Sequence, residues 1–397
     1  MEMARDLVGL ASQLVSIPGE SGHEGAVARA VKEAMEALGY DEVLVDAAGN
    51  VLGRLSGKRA RRGRRVVVLF DAHLDTVGAD PTGWRHPPYA GVVEDGQLFG
   101  RGAADMRGAL AAMVHGLSGL NRGRLEGDVW VCGSVSEEVL EGVALRVALE
   151  RIKPDCVVVG EATRLNLAIG QRGRMELVLE VEGKPCHSAF PAAGVNAVSG
   201  LARAWLALER QRLPEHPRLG PALVVLTDVV STPYPGVSVV PYGCRATLDR
   251  RSLPGEEAGA AAREVERVAA EAAGMPVTCR VAEGEAISYT GYRLAQPKHF
   301  PAWELPEDHP LVRRALSALQ ETGLTPTISS YQFCTNGSGS AGELGVPTLG
   351  FGPGREVDAH TVDECIAVDQ LYAAARGYQA LALALTRESR QLPLWAG

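Results

Sequence analysis

Aromatic side chains are scarce in this chain, at 5% of 397 residues. That argues against a nucleic-acid binder that stacks bases on ring faces. A basic excess is also missing: 40 Lys and Arg stand against 48 Asp and Glu, a formal charge of −8. An acidic chain without a broad basic face speaks against nucleic acid and anionic membrane as partners. No apolar run approaches the roughly 18 residues of a transmembrane helix. The opening MEMARDLVGLASQLVSIPGESGHEG lacks both a basic start and a signal-type apolar core. It reads as an amphipathic helix ending near Ile17-Pro18, and the expected location is the cytoplasm. Cysteine pairing is absent too: the seven cysteines, at 132, 156, 186, 244, 279, 334 and 365, form no C-x-x-C and are odd in number. A thiolate zinc site or a disulfide framework is not expected. Most of these residues should be reduced, buried and small-apolar in behaviour. Neither an internal repeat nor a low-complexity tail is evident.

Hydrophobic residues make up 46% of the chain and glycines number 46, a mix that fits a tightly packed α/β protein with many turns. The length favours two domains. One basic cluster, Lys58 to Arg65, lies between strand-like runs and reads as a solvated hairpin loop. From residue 1 to about 174, helix and strand alternate. VVVLFDAH (66–73), DVWVCGSV (128–135) and CVVVGE (156–161) have the β-branched content of buried parallel strands, with helices expected at 108–120 and 139–151. This is a doubly wound α/β layout. MELVLEVEG (175–183) then alternates apolar and polar, as a half-exposed strand does. A helix at 195–213, strands at 222–231 and 236–250, a helix at 256–273 and a strand at 275–284 follow. The order β-α-β-β-α-β matches a small ferredoxin-like α+β domain. Buried character returns after about 287, with helices expected at 311–322 and 369–386 and a strand within 346–354. The economical organisation is one catalytic domain in two segments, 1–174 and 288–397, with 175–287 inserted.

Polar residues at strand ends carry the chemistry. His73 and Asp75 follow one apolar run, and Glu137 and Glu138 follow another. The carboxyl edge of an open α/β sheet is where ligands bind, and a His with three carboxylates there suits a divalent metal. Residues i and i+2 of an extended segment share a face, so His73 can ligate while Asp75 orients it; alone, H-x-D is also a common surface pair. Asp105, in GRGAADMRGAL, can bridge two metal ions or cap the helix that follows. Adjacent Glu137 and Glu138 point differently, which suits one as ligand and one as proton acceptor; they also suit a helix start. Glu161 directly follows a buried run, where ligation would stabilise it. His187 in GKPCHSAF and His360 in DAHTVDE are single histidines that structural hydrogen bonding would equally explain.

Taken in order, the strings HLDTV, GRGAADMRG, SEE, GEAT, HS and AHTVDE resemble one family over nearly the whole chain. It is the dizinc metallopeptidase and deacylase family of acetylornithine deacetylase, succinyl-diaminopimelate desuccinylase, aminoacylase and glutamate carboxypeptidase. The strings GQRGR, YTGY, FPAW, CTNGSGSAG and AHTVDE are similar to its branch labelled selenium metabolism-linked hydrolase, a label of gene context. The resemblance implies a zinc-peptidase-like catalytic domain, with a mixed sheet flanked by helices, and a lid and dimerisation domain. It implies two Zn²⁺ per chain, with Co²⁺ or Mn²⁺ as substitutes. His73 and Glu161 would bind one ion, Glu138 and His360 the other, and Asp105 both. Asp75 would orient His73, and Glu137 would be the general base. His187 would reach a partner's site in a homodimer and polarise the scissile carbonyl.

Arg251 keeps the family spacing for a substrate carboxylate, and Ser238 stands where the family usually has Asn. The loop CTNGSGSAG, with Asn336, Gly337 and Ser338, occupies the place of the substrate-carboxylate loop, where backbone N–H groups could cradle an anion. The implied reaction is hydrolysis of an amide in a small carboxylate-bearing substrate. Glu161 resembles the deacylases, so an N-acyl amino acid is expected first. A dipeptidase or carboxypeptidase comes second and an N-carbamoyl amino acid hydrolase third. A catalytically silent ligand-binding dimer is the reading from a different class.

Overall fold

A computed structural model describes residues 6–58 and 64–387. Residues 59–63 of the basic cluster lie outside the described residues; Arg64 and Arg65 at its end pair with Asp155 and Asp128. The chain forms two compact units: Met1–Gln171 with Glu285–Ala295 and Trp303–Gly397, and Arg172–Gly284 with Gln296–Ala302.

The first unit is built on a mixed nine-stranded sheet. At its centre Asp128–Ser134, Val67–His73, Cys156–Val159 and Thr348–Gly350 lie side by side in that order, all parallel. Val51–Ser56 continues the sheet antiparallel on one side and Leu167–Gln171 on the other. Side chains alternate across Val67–His73 and serve both faces. Leu69 joins Trp130, Val157 and Val159 beneath Leu145, Ala148 and Leu149 of the helix Val143–Ile152. Phe70 meets Tyr378 of the helix Val368–Leu385 edge-on, with ring centroids 5.9 Å apart. Each fully buried side chain of this kind contributes about 1.5–3 kcal/mol relative to exposure. Helices on both faces leave the strand ends as the place where polar groups emerge.

The connectivity selects one of those ends. From Val67–His73 the chain crosses to Asp128–Ser134 on one side, then returns to Cys156–Val159 on the other. This is a topological switch point, and the crevice lies at the carboxyl end of Val67–His73. His73 closes that strand, and Glu137 and Glu161 lie just past the ends of its two neighbours. Asp105 enters from the irregular turn Ala103–Arg107, which precedes the helix Gly108–Ser118 and contains a cis peptide between Asp105 and Met106. Gly102 makes the turn possible: its φ is +86, and a Cβ there would meet Thr76 Cγ2 at 2.8 Å.

Arg107 anchors this turn from a fully buried position. Its Nε donates to the Leu74 carbonyl at 2.8 Å, Nη1 to Leu14 at 3.0 Å and to Ile17, and Nη2 to Gly19 at 3.1 Å. Burial pushes the guanidinium pKa down to about 10. The four carbonyls need an internal donor because buried backbone groups lose water. The Gly19 and Leu14 carbonyls keep backbone donors, from Thr76 and from Ser16 and Ile17, so Arg107→Met orphans those of Leu74 and Ile17 and is expected to cost about 2 kcal/mol, at roughly 1 kcal/mol per orphaned acceptor. Urea unfolding would show this as a lower midpoint at constant slope; an unchanged midpoint would mean that water replaces the guanidinium.

The second unit has the strand order Leu223–Thr232, Gly243–Ser252, Gly173–Glu182, Val277–Val281, antiparallel throughout. The helices Ala197–Glu209 and Ala258–Ala273 cover one face, where Met175, Leu177, Leu179 and Val181 are buried. Asn196 caps the first helix, its side chain accepting the Ser199 N–H at 3.2 Å. The element order is the expected ferredoxin-like one.

Two expected elements start late for physical reasons. The helix expected at 139–151 begins at Val143, because Gly142 is left-handed at φ +82. The strand expected at 236–250 begins at Gly243. Pro233, Pro235 and Pro241 interrupt the preceding stretch and cannot donate to a ladder. The N-terminal helix spans Leu7–Val15, and all seven cysteines are free. No described helix is long and apolar enough to cross a membrane.

Candidate metal centre

Six side chains converge at the switch point. Asp105 lies between two imidazoles, with Oδ1 2.8 Å from His73 Nε2 and Oδ2 3.1 Å from His360 Nε2. Glu161 Oε1 lies 3.6 Å from the same His73 nitrogen, and both Glu138 oxygens lie 3.1–3.2 Å from His360 Nε2. Glu137 Oε2 is 4.0 Å from His73 Nε2. His73, Glu137 and Glu161 form one group able to hold an ion, and His73, Asp105 and Glu138 another. His73 Nδ1 lies 2.9 Å from the Asp75 carbonyl oxygen and 3.6 Å from its carboxylate. That carbonyl contact holds the proton on Nδ1 and turns Nε2 toward the acids.

The donor chemistry fits divalent metal. Among the described residues, no Lys or Arg pairs with Asp105, Glu137, Glu138 or Glu161, although all are at least mostly buried. With protein groups alone, protons collect here. Burial and the neighbouring carboxylates push Glu137 and Glu161 well above the usual range, and burial with Asp105 raises Glu138. Burial opposes a charge on His73, but its hydrogen bond to Asp105 and the surrounding carboxylates raise it well above normal. Hydrogen bonds to Asp105 and Glu138 push His360 up to about 10. Burial disfavours the Asp105 charge, yet the two histidines hold its carboxyl well below the normal range.

Metal and protons compete for these atoms, so metal affinity is expected to rise with pH. Loading at pH 7 should release about one proton or more per chain, His360 first. Zn²⁺ calorimetry in buffers of different ionisation enthalpy reads this directly. A proton-silent titration would remove His360 from the ligand set.

Among the buried acids not singled out from the sequence, three bond to segments of this centre or to the Gly/Ser loop. Glu364 Oε1 accepts the N–H groups of Ala104 and Asp105 at 2.9 and 3.0 Å, and its Oε2 pairs with buried Arg101 at 2.6 Å. Burial, reinforced by Asp105, pushes it up to about 7. It is the last letter of AHTVDE, and a buried acid so placed was the available signal. Glu24 accepts the Ser136 N–H at 3.0 Å. Asp71 Oδ2 accepts from Asn336 Nδ2 at 2.9 Å.

That contact bears on the Gly/Ser loop. Asn336 Nδ2 also donates to Ser134 Oγ at 2.8 Å, and Asn336 Oδ1 accepts the Gly142 N–H at 2.7 Å. Ser338 Oγ donates to the Glu141 carbonyl at 3.1 Å, and the Gly337 N–H to Thr335 Oγ1 at 2.9 Å. All of these groups are bonded within the fold, where the sequence suggested an anion cradle.

The remaining candidates belong to the second unit. His187 is exposed, and its Nδ1 accepts the Ala189 N–H at 3.0 Å, so a neutral ring carries its proton on Nε2. Ser238, exposed at φ +51, accepts the Ser188 N–H on its carbonyl at 3.1 Å. Asn tolerates this left-handed conformation better than Ser does. Arg251 Nε pairs with Asp249 Oδ1 at 2.7 Å.

The sequence profile of peptidase family M20/M25/M40 matches residues 69–384. The chain is a member of that family. The M20 chain is 33% identical over 386 residues to YgeY of Escherichia coli K12, described as uncharacterized, across 95% of this chain and 94% of that one. It is 32% identical over 319 residues to a succinyl-diaminopimelate desuccinylase of Methylobacterium radiotolerans, 77% of each chain. A Staphylococcus aureus tripeptidase shares the fold at TM-score 0.76 and 19% identity, over 97% of this chain and 99% of its own. Bacillus subtilis YXEP, described as a dinuclear metal binding peptidase of the M20 family, does so at 0.70 and 16%, over 97% and 99%. The M20 chain is a metal-dependent hydrolase of the peptidase type. Its α/β fold, a mixed sheet flanked by helices plus a ferredoxin-like unit, is the expected one.

Proposed function

We propose that this M20 chain is a dinuclear zinc amidohydrolase that removes the acyl group from a small N-acyl amino acid. The observation that carries the reading is Asp105, with one carboxylate oxygen on each of two imidazoles, His73 and His360. In this reading His73 and Glu161 would hold one ion, Glu138 and His360 the other, and Asp105 would serve both. Bound divalent ions supply Lewis-acid polarisation and lower the pKa of the attacking water. Glu137 takes the proton of that water on its carboxylate and passes it to the leaving nitrogen. Its burial, which favours the protonated form, suits a group that must hold a proton between those steps. Asp75 orients His73. His187 donates its Nε2–H to the scissile carbonyl oxygen, delivered across a homodimer. Arg251 receives the substrate carboxylate as a bidentate partner, with Ser238 as a further contact. Co²⁺ or Mn²⁺ satisfies the same donors.

We assign catalysis to 1–174 and 288–397, and lid and dimer contact to 175–287. Seven free cysteines support a reducing, cytoplasmic setting. The desuccinylase among its relatives supports acyl removal over peptide cleavage.

A chromatographic hydrolysis screen of the zinc-loaded protein tests the reading. The panel holds N-acetyl, N-succinyl, N-formyl and N-carbamoyl amino acids and dipeptides, with Glu137→Ala as control. Turnover of an N-acyl amino acid, lost in the control, is the expected result. Preferred cleavage of dipeptides or carbamoyl compounds would replace the substrate class. Two bound ions without any turnover would point to a silent binder.

A further inference from the structure

We propose that Ser21 and Glu24 are positioning residues for Glu137 and Glu138. The inference rests on reading Glu137 as the base and Glu138 as a ligand. Both positioning residues precede residue 69, where the match to the family begins.

Three successive backbone N–H groups each enter a buried carboxylate. Ser136 N donates to Glu24 Oε1 at 3.0 Å, Glu137 N to Asp75 Oδ1 at 3.1 Å, and Glu138 N to Asp75 Oδ2 at 3.1 Å. Ser21 Oγ donates to Asp75 Oδ2 at 2.7 Å. Glu24 and Asp75 are both fully buried. Asp75 is therefore a template for the Glu137-Glu138 backbone as well as a neighbour of His73. Ser136 sits at φ +57, a left-handed conformation that residues with a Cβ avoid. The hydrogen bond from its N–H to Glu24 holds it there. This backbone in turn fixes Glu137 4.0 Å from His73 Nε2 and Glu138 3.1 Å from His360 Nε2.

The segment carrying Ser21 and Glu24 is itself held. The Gly19 carbonyl accepts from both Thr76 N and Arg107 Nη2 at 3.1 Å, and His23 N closes a turn onto the Glu20 carbonyl at 2.8 Å. Glu24 Oε2 is buried with no hydrogen-bond partner among the described residues. Such a carboxylate is expensive as a stabilising device. Its placement is understandable if it holds the catalytic loop, because functional sites tolerate local costs of this kind.

The test uses the full chain loaded with Co²⁺, whose visible absorption reports ligand geometry apart from activity. The variants are Glu24→Leu, Glu24→Gln and Ser21→Ala. Glu24→Leu is expected to change the spectrum, weaken the second Co²⁺ about tenfold and lower kcat about 10–100-fold at nearly constant KM, the scale of lost ligand support. Glu24→Gln keeps an oxygen for the Ser136 N–H and should rescue most of the loss. Ser21→Ala should shift the spectrum in the same direction by less. A folded Glu24→Leu protein with the wild-type spectrum, Co²⁺ affinity and kcat would overturn the proposal. If Glu24→Leu does not fold, a wild-type spectrum and kcat in Ser21→Ala would overturn it instead. If the wild type cleaves no amide yet the spectrum still shifts in the variants, the functional reading fails and the positioning role stands.

Discussion

Replacing Glu137 by Gln is expected to lower kcat by more than about 10⁴-fold, the upper end of one acid–base contribution, because this carboxylate acts twice. Gln keeps the shape and the backbone contact to Asp75 but neither accepts nor returns a proton. KM and metal content should stay near wild type, because Glu137 lies farther from His73 Nε2, at 4.0 Å, than Asp105 or Glu161. The geometry makes the residue hard to replace. Glu137 is buried, and the nearby Glu161, Glu138 and Glu141 oppose further negative charge. A water molecule taking over would have to carry that proton without the same preorganisation. The measurement is kcat on the preferred amide with metal per chain determined alongside. A loss smaller than tenfold at full metal loading would remove Glu137 from the base role.

Asp105→Ala is expected to reduce metal to one ion per chain or fewer and to lower activity by more than about 100-fold. Losing residues that merely support ligands already costs about 10–100-fold. Asp105 faces both imidazoles, so its removal unlinks the two halves of the centre. The His360 pKa, pushed up to about 10 mainly by Asp105 and Glu138, should fall toward the ordinary imidazole range. In the metal-free wild type that proton is held through neutral pH and lost only as pH rises through the raised pKa. In the variant it leaves at lower pH. Metal analysis after dialysis and an NMR titration of His360 read the two consequences separately. Two tightly held ions in Asp105→Ala would show that Asp105 does not bridge.

Much of the centre was legible in the sequence because its residues follow strand ends. Buried parallel strands announce themselves as continuous apolar runs, and His73, Glu137 and Glu161 stand directly after three of them. Asp105 and His360 gained meaning only from the ordered motifs, since each alone fits an ordinary cap or surface role. The Gly/Ser loop was harder. Its composition suggested an anion cradle, yet Asn336 and Ser338 spend their polar atoms on Asp71, Ser134, Gly142 and the Glu141 carbonyl. Composition reports what a loop can bond to, and the partner depends on what packs against it.

The sequence by itself determined the two architectures, the strand-end location of the centre and the family, all of which rest on local periodicity and short ordered strings. Tertiary structure alone decided which buried acids hold the backbone of the candidate centre. Glu24 meets Ser136 across 112 positions, and Glu364 meets Asp105 across 259. No local pattern encodes such pairings, because a buried carboxylate is satisfied by whichever N–H groups the fold presents to it. The same limit applies to the start of the Val143–Ile152 helix. Helical pattern extends back to residue 139, but Gly142 is left-handed at φ +82, which interrupts a helix, and its N–H is bound to Asn336 Oδ1, 194 positions away. A long-range hydrogen bond therefore meets the backbone where propensity would continue the helix.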